Sequence, residues 1–222
     1  MGTQVFLKRL SWMLLIPLVG LIYVQLNYNN GNVHNLMTAL DRIIPFIPYF
    51  VVPYVAWYGV LFFSLTWFAY KNDRLYYRSL ASLVLGMAVS YLIFFVFQTT
   101  VPRPVIEGHN LFNQLTKIIY AIDNPYNAFP SLHVLTSYII YLGSQETKIY
   151  SRFISRAIQI MTILVILSTI FLKQHTLLDV AGGIFIGGTI FNVTGYVVDI
   201  ILSYDISINL LPKSFKHIPG KR

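Results

Sequence analysis

The stretch Ser79–Thr99, SLASLVLGMAVSYLIFFVFQT, runs 21 residues without one charged side chain. As a helix it is about 31 Å long, which matches the hydrocarbon thickness of a bilayer. Five further apolar runs stand around it, at Leu10–Leu26, Phe50–Tyr70, Ser131–Leu142, Phe153–Leu172 and Leu177–Ser203. The fourth run in chain order is short for a crossing, although it reaches 18 residues when counted from Asn127 to Ser144. Six spans of about 20 residues need about 120 apolar positions, and a chain of 222 residues that is 56 % hydrophobic holds little more than that. The expected fold is all-α: a polytopic membrane bundle of six transmembrane helices with short interfacial helices, forming one domain over residues 1–222.

The remaining composition excludes other classes. Charged residues are 11 % and mean hydropathy is +0.63; soluble domains carry about 25 % charge, so a water-soluble globule would lack polar surface. Disorder is excluded, because disordered chains are poor in apolar residues. With no cysteine there is no disulfide, thiolate nucleophile or Cys-based zinc or iron–sulfur site. A net charge of +8 and a pI near 9.6 can suit nucleic acid, but the cations sit in short clusters between apolar runs. That is a topology signal, and no nucleic-acid partner is expected. Six crossings put Lys8, Arg9, Lys71, Arg74, Arg78, Lys148, Arg152, Arg156, Lys213, Lys216, Lys221 and Arg222 on one side and Arg42, Arg103, Lys117 and Lys173 on the other. The positive-inside rule then places both termini in the cytoplasm, with the cell membrane as the expected location. Lys8 and Arg9 resemble the start of a secretory signal, but no small-residue cleavage site follows, and the first run is expected to stay as an anchor.

Two outer stretches have helical spacing without the length of a span. Val33, Leu36, Met37, Leu40, Ile43, Ile44 and Ile47 predict a short helix in the outer interface, and Leu111, Phe112, Leu115, Ile118, Ile119 and Ile122 predict another. The second can roof a site or simply pack on its neighbours. Gly183 and Gly187, with Gly182 and Gly188, put small residues on the sixth helix at a spacing that suits close helix contact.

In so apolar a chain, ionisable residues near span ends are functional candidates. Three outer clusters qualify: Val101-Pro102-Arg103-Pro104, Asn127-Ala128-Phe129-Pro130-Ser131-Leu132-His133, and Lys173-Gln174-His175-Thr176-Leu177-Leu178-Asp179. If the sixth helix begins near His175, Asp179 shares its face and can accept a hydrogen bond from one imidazole nitrogen, leaving the other as nucleophile or base. Pro130 and Ser131 suit a helix start, whose free N–H groups favour an anion, and Ser131 can donate to a phosphate oxygen. Each cluster alone also has a plain reading: a histidine and an unrelated aspartate at a helix end, a capping serine, a snorkelling arginine. Taken together, two histidines, an aspartate, a serine and two cations on one face fit a phosphate site.

These residues resemble the type 2 phosphatidic acid phosphatase superfamily of integral membrane lipid phosphatases, related to vanadium haloperoxidases. That pattern reads Lys, six residues, Arg-Pro; then Pro-Ser-Gly-His; then Ser-Arg, five residues, His, three residues, Asp. The matching residues are Arg103-Pro104, Pro130-Ser131-Leu132-His133, and Ser168-Thr169 followed at the same spacing by His175 and Asp179. The family's lysine falls at Val96, its second arginine at Thr169, and Leu132 replaces the usual glycine. Phe129–His133 and Phe171–His175 look more like the inositol phosphorylceramide synthase branch, which moves a phosphorylated head group between lipids.

The resemblance implies attack by His175 on phosphorus, Asp179 as its orienting carboxylate, and His133 as the acid on the leaving group. Arg103, Ser131 and Lys173 would hold the phosphate oxygens, with no metal and no cofactor. The implied partner is a phospholipid or isoprenoid phosphate among membrane lipids: phosphatidate, phosphatidylglycerol phosphate or an isoprenoid pyrophosphate. A head-group phosphotransferase is a second reading, and a non-enzymatic lipid transporter a third. His34, His109 and His217 match no block and are expected to be ordinary surface or interface residues.

Overall fold

The computed structural model describes residues 3–146 and 150–210, the last nine as helix backbone only. Lys148, His217 and the basic residues from Lys213 onward lie outside the described residues.

The chain is a helical bundle: α1 Thr3–Trp12, α2 Leu15–Leu26, α3 Ala39–Ile43, α4 Val51–Lys71, α5 Asp73–Val96, α6 Leu111–Ile122, α7 Leu132–Glu146, α8 Arg152–Phe171 and α9 Leu177–Leu210. Among the described residues five helical segments are long and apolar enough to cross a membrane: Thr3–Leu26, Pro48–Lys71, Asp73–Val96, Arg152–Phe171 and Leu177–Ile201. The chain therefore reads as an integral membrane protein. Six spans were expected; α7 has only 15 residues, about 22 Å. Counting from Asn127 does not lengthen it. Asn127 has a positive φ of 59°, and Pro130 has no N–H to continue a helix.

Local chemistry accounts for two more departures. The first apolar run is not one helix from Leu10 but two, starting at Thr3 and broken at Met13 and Leu14. Pro17 has no N–H for the Met13 carbonyl and its ring collides with it, so the ladder resets there. The helix expected over Val33–Ile47 shrinks to the five residues of α3, preceded by β1 His34–Asn35, which pairs in parallel with β2 Thr99–Thr100. Thr38 and Asp41 form a capping box at its start. Ile44, held extended before Pro45, ends it.

The second interfacial helix is present as α6, capped by Asn110 through Asn113 N. It buries Asn113, Thr116 and Ile119 and leaves Leu111, Ile118 and Ile122 exposed.

Packing is tightest where α9 meets α7. A Cβ on Gly183 would lie 2.8 Å from the Ser131 carbonyl oxygen, and one on Gly187 would lie 3.0 Å from that of Leu135. Only glycine lets the two backbones approach this closely, and that approach brings the second and third sequence clusters together. Ser131 N–H donates to the Asp179 carbonyl at 3.1 Å, tying the start of α7 directly to the first turn of α9. The main apolar core lies between α4, α5 and α7, around Leu65, Phe68, Tyr76, Leu83, Leu135 and Ile139.

Candidate active site

His133 is the second residue of α7, which packs its ring against two aromatics of α4. The centroids of Tyr54 and Trp57 are each 4.3 Å away, the first stacked and the second tilted. Its Nε2 is buried without a hydrogen-bond partner among the described residues.

His175 lies two residues ahead of α9. The loop turns at Lys173, with φ of 53°, and the N–H groups of Gln174 and His175 both donate to the Thr169 carbonyl, at 3.0 and 3.1 Å. His175 Nδ1 stands 2.9 Å from the Ala128 carbonyl. A carbonyl only accepts, so Nδ1 carries the hydrogen and Nε2 keeps its lone pair. The two imidazole centroids are 6.3 Å apart.

Both rings line a cavity of about 710 Å³ with Arg103, Asp123, Gln174 and Tyr23. From this polar end the walls become apolar, passing Tyr54, Leu61 and Met87 to Ile16. Exposed residues of α6, Leu115, Ile118 and Ile122, close one side, so this helix does roof the cavity. Arg103 lies over the Tyr120 ring, 4.5 Å from its centroid, and donates to the carbonyls of Tyr120, Asp123 and Asn124 and to Gln174 Oε1. Its Nε and Gln174 Nε2 have no partner among the described residues. Burial pushes the Tyr120 phenol up to about 12, with Arg103 partly opposing, so it is protonated and donates to the Leu172 carbonyl at 2.6 Å.

Ser131 and Lys173, expected at the phosphate, and Asp179, expected to orient His175, do not line the cavity. Ser131 is fully buried and its Oγ faces Val134 N at 3.4 Å, the geometry of a weak helix cap. Lys173 Nζ donates to the carbonyls of Asp41 and Ile44, so its charge serves the end of α3. Burial lowers its pKa, with Asp41 opposing. Asp41 itself is held below the usual carboxylate range: burial alone would raise it, but bonds from Thr38, the bond from Leu177 N and the charge of Lys173 outweigh that. Asp179 is buried behind His175. Its Oδ2 is 3.7 Å from Nδ1, too far for a hydrogen bond, and accepts instead from Thr176 N at 2.6 Å. The expected carboxylate contact to the imidazole is therefore made by a backbone carbonyl. The helix begins at Leu177 rather than at His175, and Thr176 and Asp179 cap it reciprocally.

A family model of the PAP2 superfamily matches residues 38–193. The chain belongs to this superfamily. No curated protein matches it. PAP2 membership points to phosphoesterase chemistry of the phosphatase type. Two positions at which the PAP2 pattern carries cations are turned away here: Val96 is 76 % exposed at the end of α5, and Thr169 is buried with its hydroxyl donating to the Ile166 carbonyl. The cavity contains a carboxylate that the motif reading passed over, Asp123. Gln174, quoted in the motif, was given no role, and the aromatic pair around His133 was also missed. In a chain with only eight acidic residues, an aspartate closing the short helix α6 was the available signal for Asp123.

Proposed function

We propose that this PAP2 protein is an integral membrane lipid phosphatase that hydrolyses a lipid phosphate or pyrophosphate through a phosphohistidine. The observation that carries the reading is the pair of imidazoles, one from α7 and one from the α8–α9 loop, 6.3 Å apart at the polar end of an apolar cavity. His175 Nε2 attacks phosphorus as the bond to the leaving oxygen breaks. Protonated His133, its charge balanced by the bound phosphate, gives that oxygen a proton. Water then attacks phosphorus, the P–N bond breaks, and His133 takes the water's proton. Arg103 and Gln174 hold the oxygens on which charge accumulates. Asp179, at 3.7 Å, stabilises the positive imidazole through space.

The apolar walls suit a lipid tail. We place the site on the extracytoplasmic side, with α7 completing a sixth crossing and both termini cytoplasmic, on the strength of the twelve-to-four distribution of cations.

The test is phosphate release from phosphatidate, phosphatidylglycerol phosphate and an isoprenoid pyrophosphate in chelator, by wild type and His175→Ala. Wild type is expected to release phosphate and to trap an acid-labile, base-stable phosphoenzyme. Release by His175→Ala at the wild-type rate would overturn the reading.

A second reading, transfer of a phosphorylated head group to an alcohol, is favoured by the charge of the cavity. Asp123 Oδ2 lies 3.8 Å from Arg103 and offsets its charge, which suits a singly charged phosphodiester better than a dianion. Head-group transfer between two labelled lipids separates the readings.

A further inference from the structure

Asp123 is a carboxylate in a cavity otherwise suited to an anion, and at close range it would repel a phosphate. Its Oδ1 is occupied, accepting from Tyr23 OH at 2.7 Å and from Asn27 Nδ2 at 2.8 Å. Oδ2 has only the Arg103 guanidinium at 3.8 Å, beyond hydrogen-bond reach, and accepts no hydrogen bond among the described residues. The side chain is 28 % exposed and the residue lines the cavity. Tyr23 and Asn27 belong to the end of α2, so the carboxylate is pinned from one side and open on the other. Arg103 spans the gap to the reacting centre, since the same guanidinium donates to Gln174, the neighbour of His175.

We infer that Asp123 Oδ2 is a subsite for a hydroxyl of the lipid head group, next to the reacting phosphorus. The charge balance selects a hydroxyl over an ammonium: Arg103 already neutralises the carboxylate, so the open lone pair needs a neutral donor rather than a second cation. A head group such as glycerol phosphate, with its hydroxyl on the carbon adjoining the phosphate ester, meets that requirement, and phosphatidate does not. The hydroxyl also accounts for a carboxylate beside a phosphate, because it places a donor between two like charges. The inference rests on the phosphoesterase reading and names the head group that reading leaves open.

The test compares two lipids with identical tails, one with a glycerol phosphate head and one with a propane-1,3-diol phosphate head that lacks the hydroxyl. Full-length wild type is expected to prefer the first by about tenfold in kcat/KM, the scale of a hydrogen bond to a charged acceptor. Asp123→Ala, which leaves no polar atom to meet the hydroxyl, is expected to bring that ratio close to one. Equal kcat/KM for the two lipids in wild type overturns the inference, as does a preference that survives Asp123→Ala. If wild type hydrolyses neither lipid, the phosphatase reading fails. Equilibrium binding of the same two lipids to His175→Ala then decides the subsite: tighter binding of the hydroxyl lipid by the same factor supports it, and equal binding rejects it.

Discussion

Two arginines, at opposite ends of the bundle, show what separates a structural cation from one left available for chemistry. Arg78, on α5, is 5 % exposed and fully engaged: Nε and Nη2 donate to the Phe191 carbonyl, Nη1 to Glu146, and the plane lies 3.9 Å from the Phe191 ring centroid. Gly195 makes room for it, since a Cβ there would lie 2.3 Å from the guanidinium carbon. Arg103 also has an aromatic ring, a carboxylate and several carbonyls as neighbours, but its Nε has no partner among the described residues and it lines the cavity. The first guanidinium is closed off by protein on all sides; the second has bonding capacity left over.

The comparison makes opposite forecasts for removing each side chain. Arg78→Ala leaves the Phe191 carbonyl without its donors, Glu146 without its cation and a hole against Gly195, so stability should fall by about 3–5 kcal/mol. Turnover per folded molecule should stay within about twofold of wild type. Thermal unfolding in detergent, beside activity normalised to folded protein, measures both. Arg103→Ala should reverse the pattern, lowering kcat on the lipid substrate by about a hundred- to a thousand-fold, as for loss of a donor to a developing oxyanion. Arg103→Lys should recover only part, because an ammonium lacks the planar fork that serves Gln174 and the phosphate together. A kcat loss in Arg78→Ala as large as that in Arg103→Ala would erase the distinction.

The contrast also marks how far the sequence could be read. The long spans were legible because a bilayer fixes both the length and the composition of a crossing. The break at Pro17 was not, since it depends on where one backbone N–H is missing, and neither was the failure of α7, already short as an apolar run, to extend back to Asn127. That His133, His175 and Arg103 would meet was legible from spacing, because whole helices separate them and return the chain to the same end, and all three line one cavity. Lys173 was misread: a left-handed residue beside His175 sends its amine to α3, and proximity in sequence gives no direction. Asp123 gained its meaning only from partners 96 and 100 residues away, Asn27 and Tyr23.

The glycine seam links the two ends. α9 is held at Phe191 and Gly195 by Arg78, and at its start by Ser131 and the loop of His175. Gly187 lies between these anchors, 3.0 Å short of the Leu135 carbonyl when given a Cβ. The obstacle is backbone, which no rotamer change can move, so Gly187→Val must push α9 from α7. Overpacking of this kind costs about 1–3 kcal/mol. The displacement should also part His133 on α7 from His175 ahead of α9, and misplacement by about 1 Å can cost a hundredfold in rate. Gly59→Ala is the control, because nothing lies within 4 Å of its added Cβ, and it should leave both stability and rate at or above wild type. A Gly187→Val protein that loses stability but keeps its rate would mean that the histidines are positioned by their own loop contacts, Ala128 and Thr169, and not by the seam between α7 and α9.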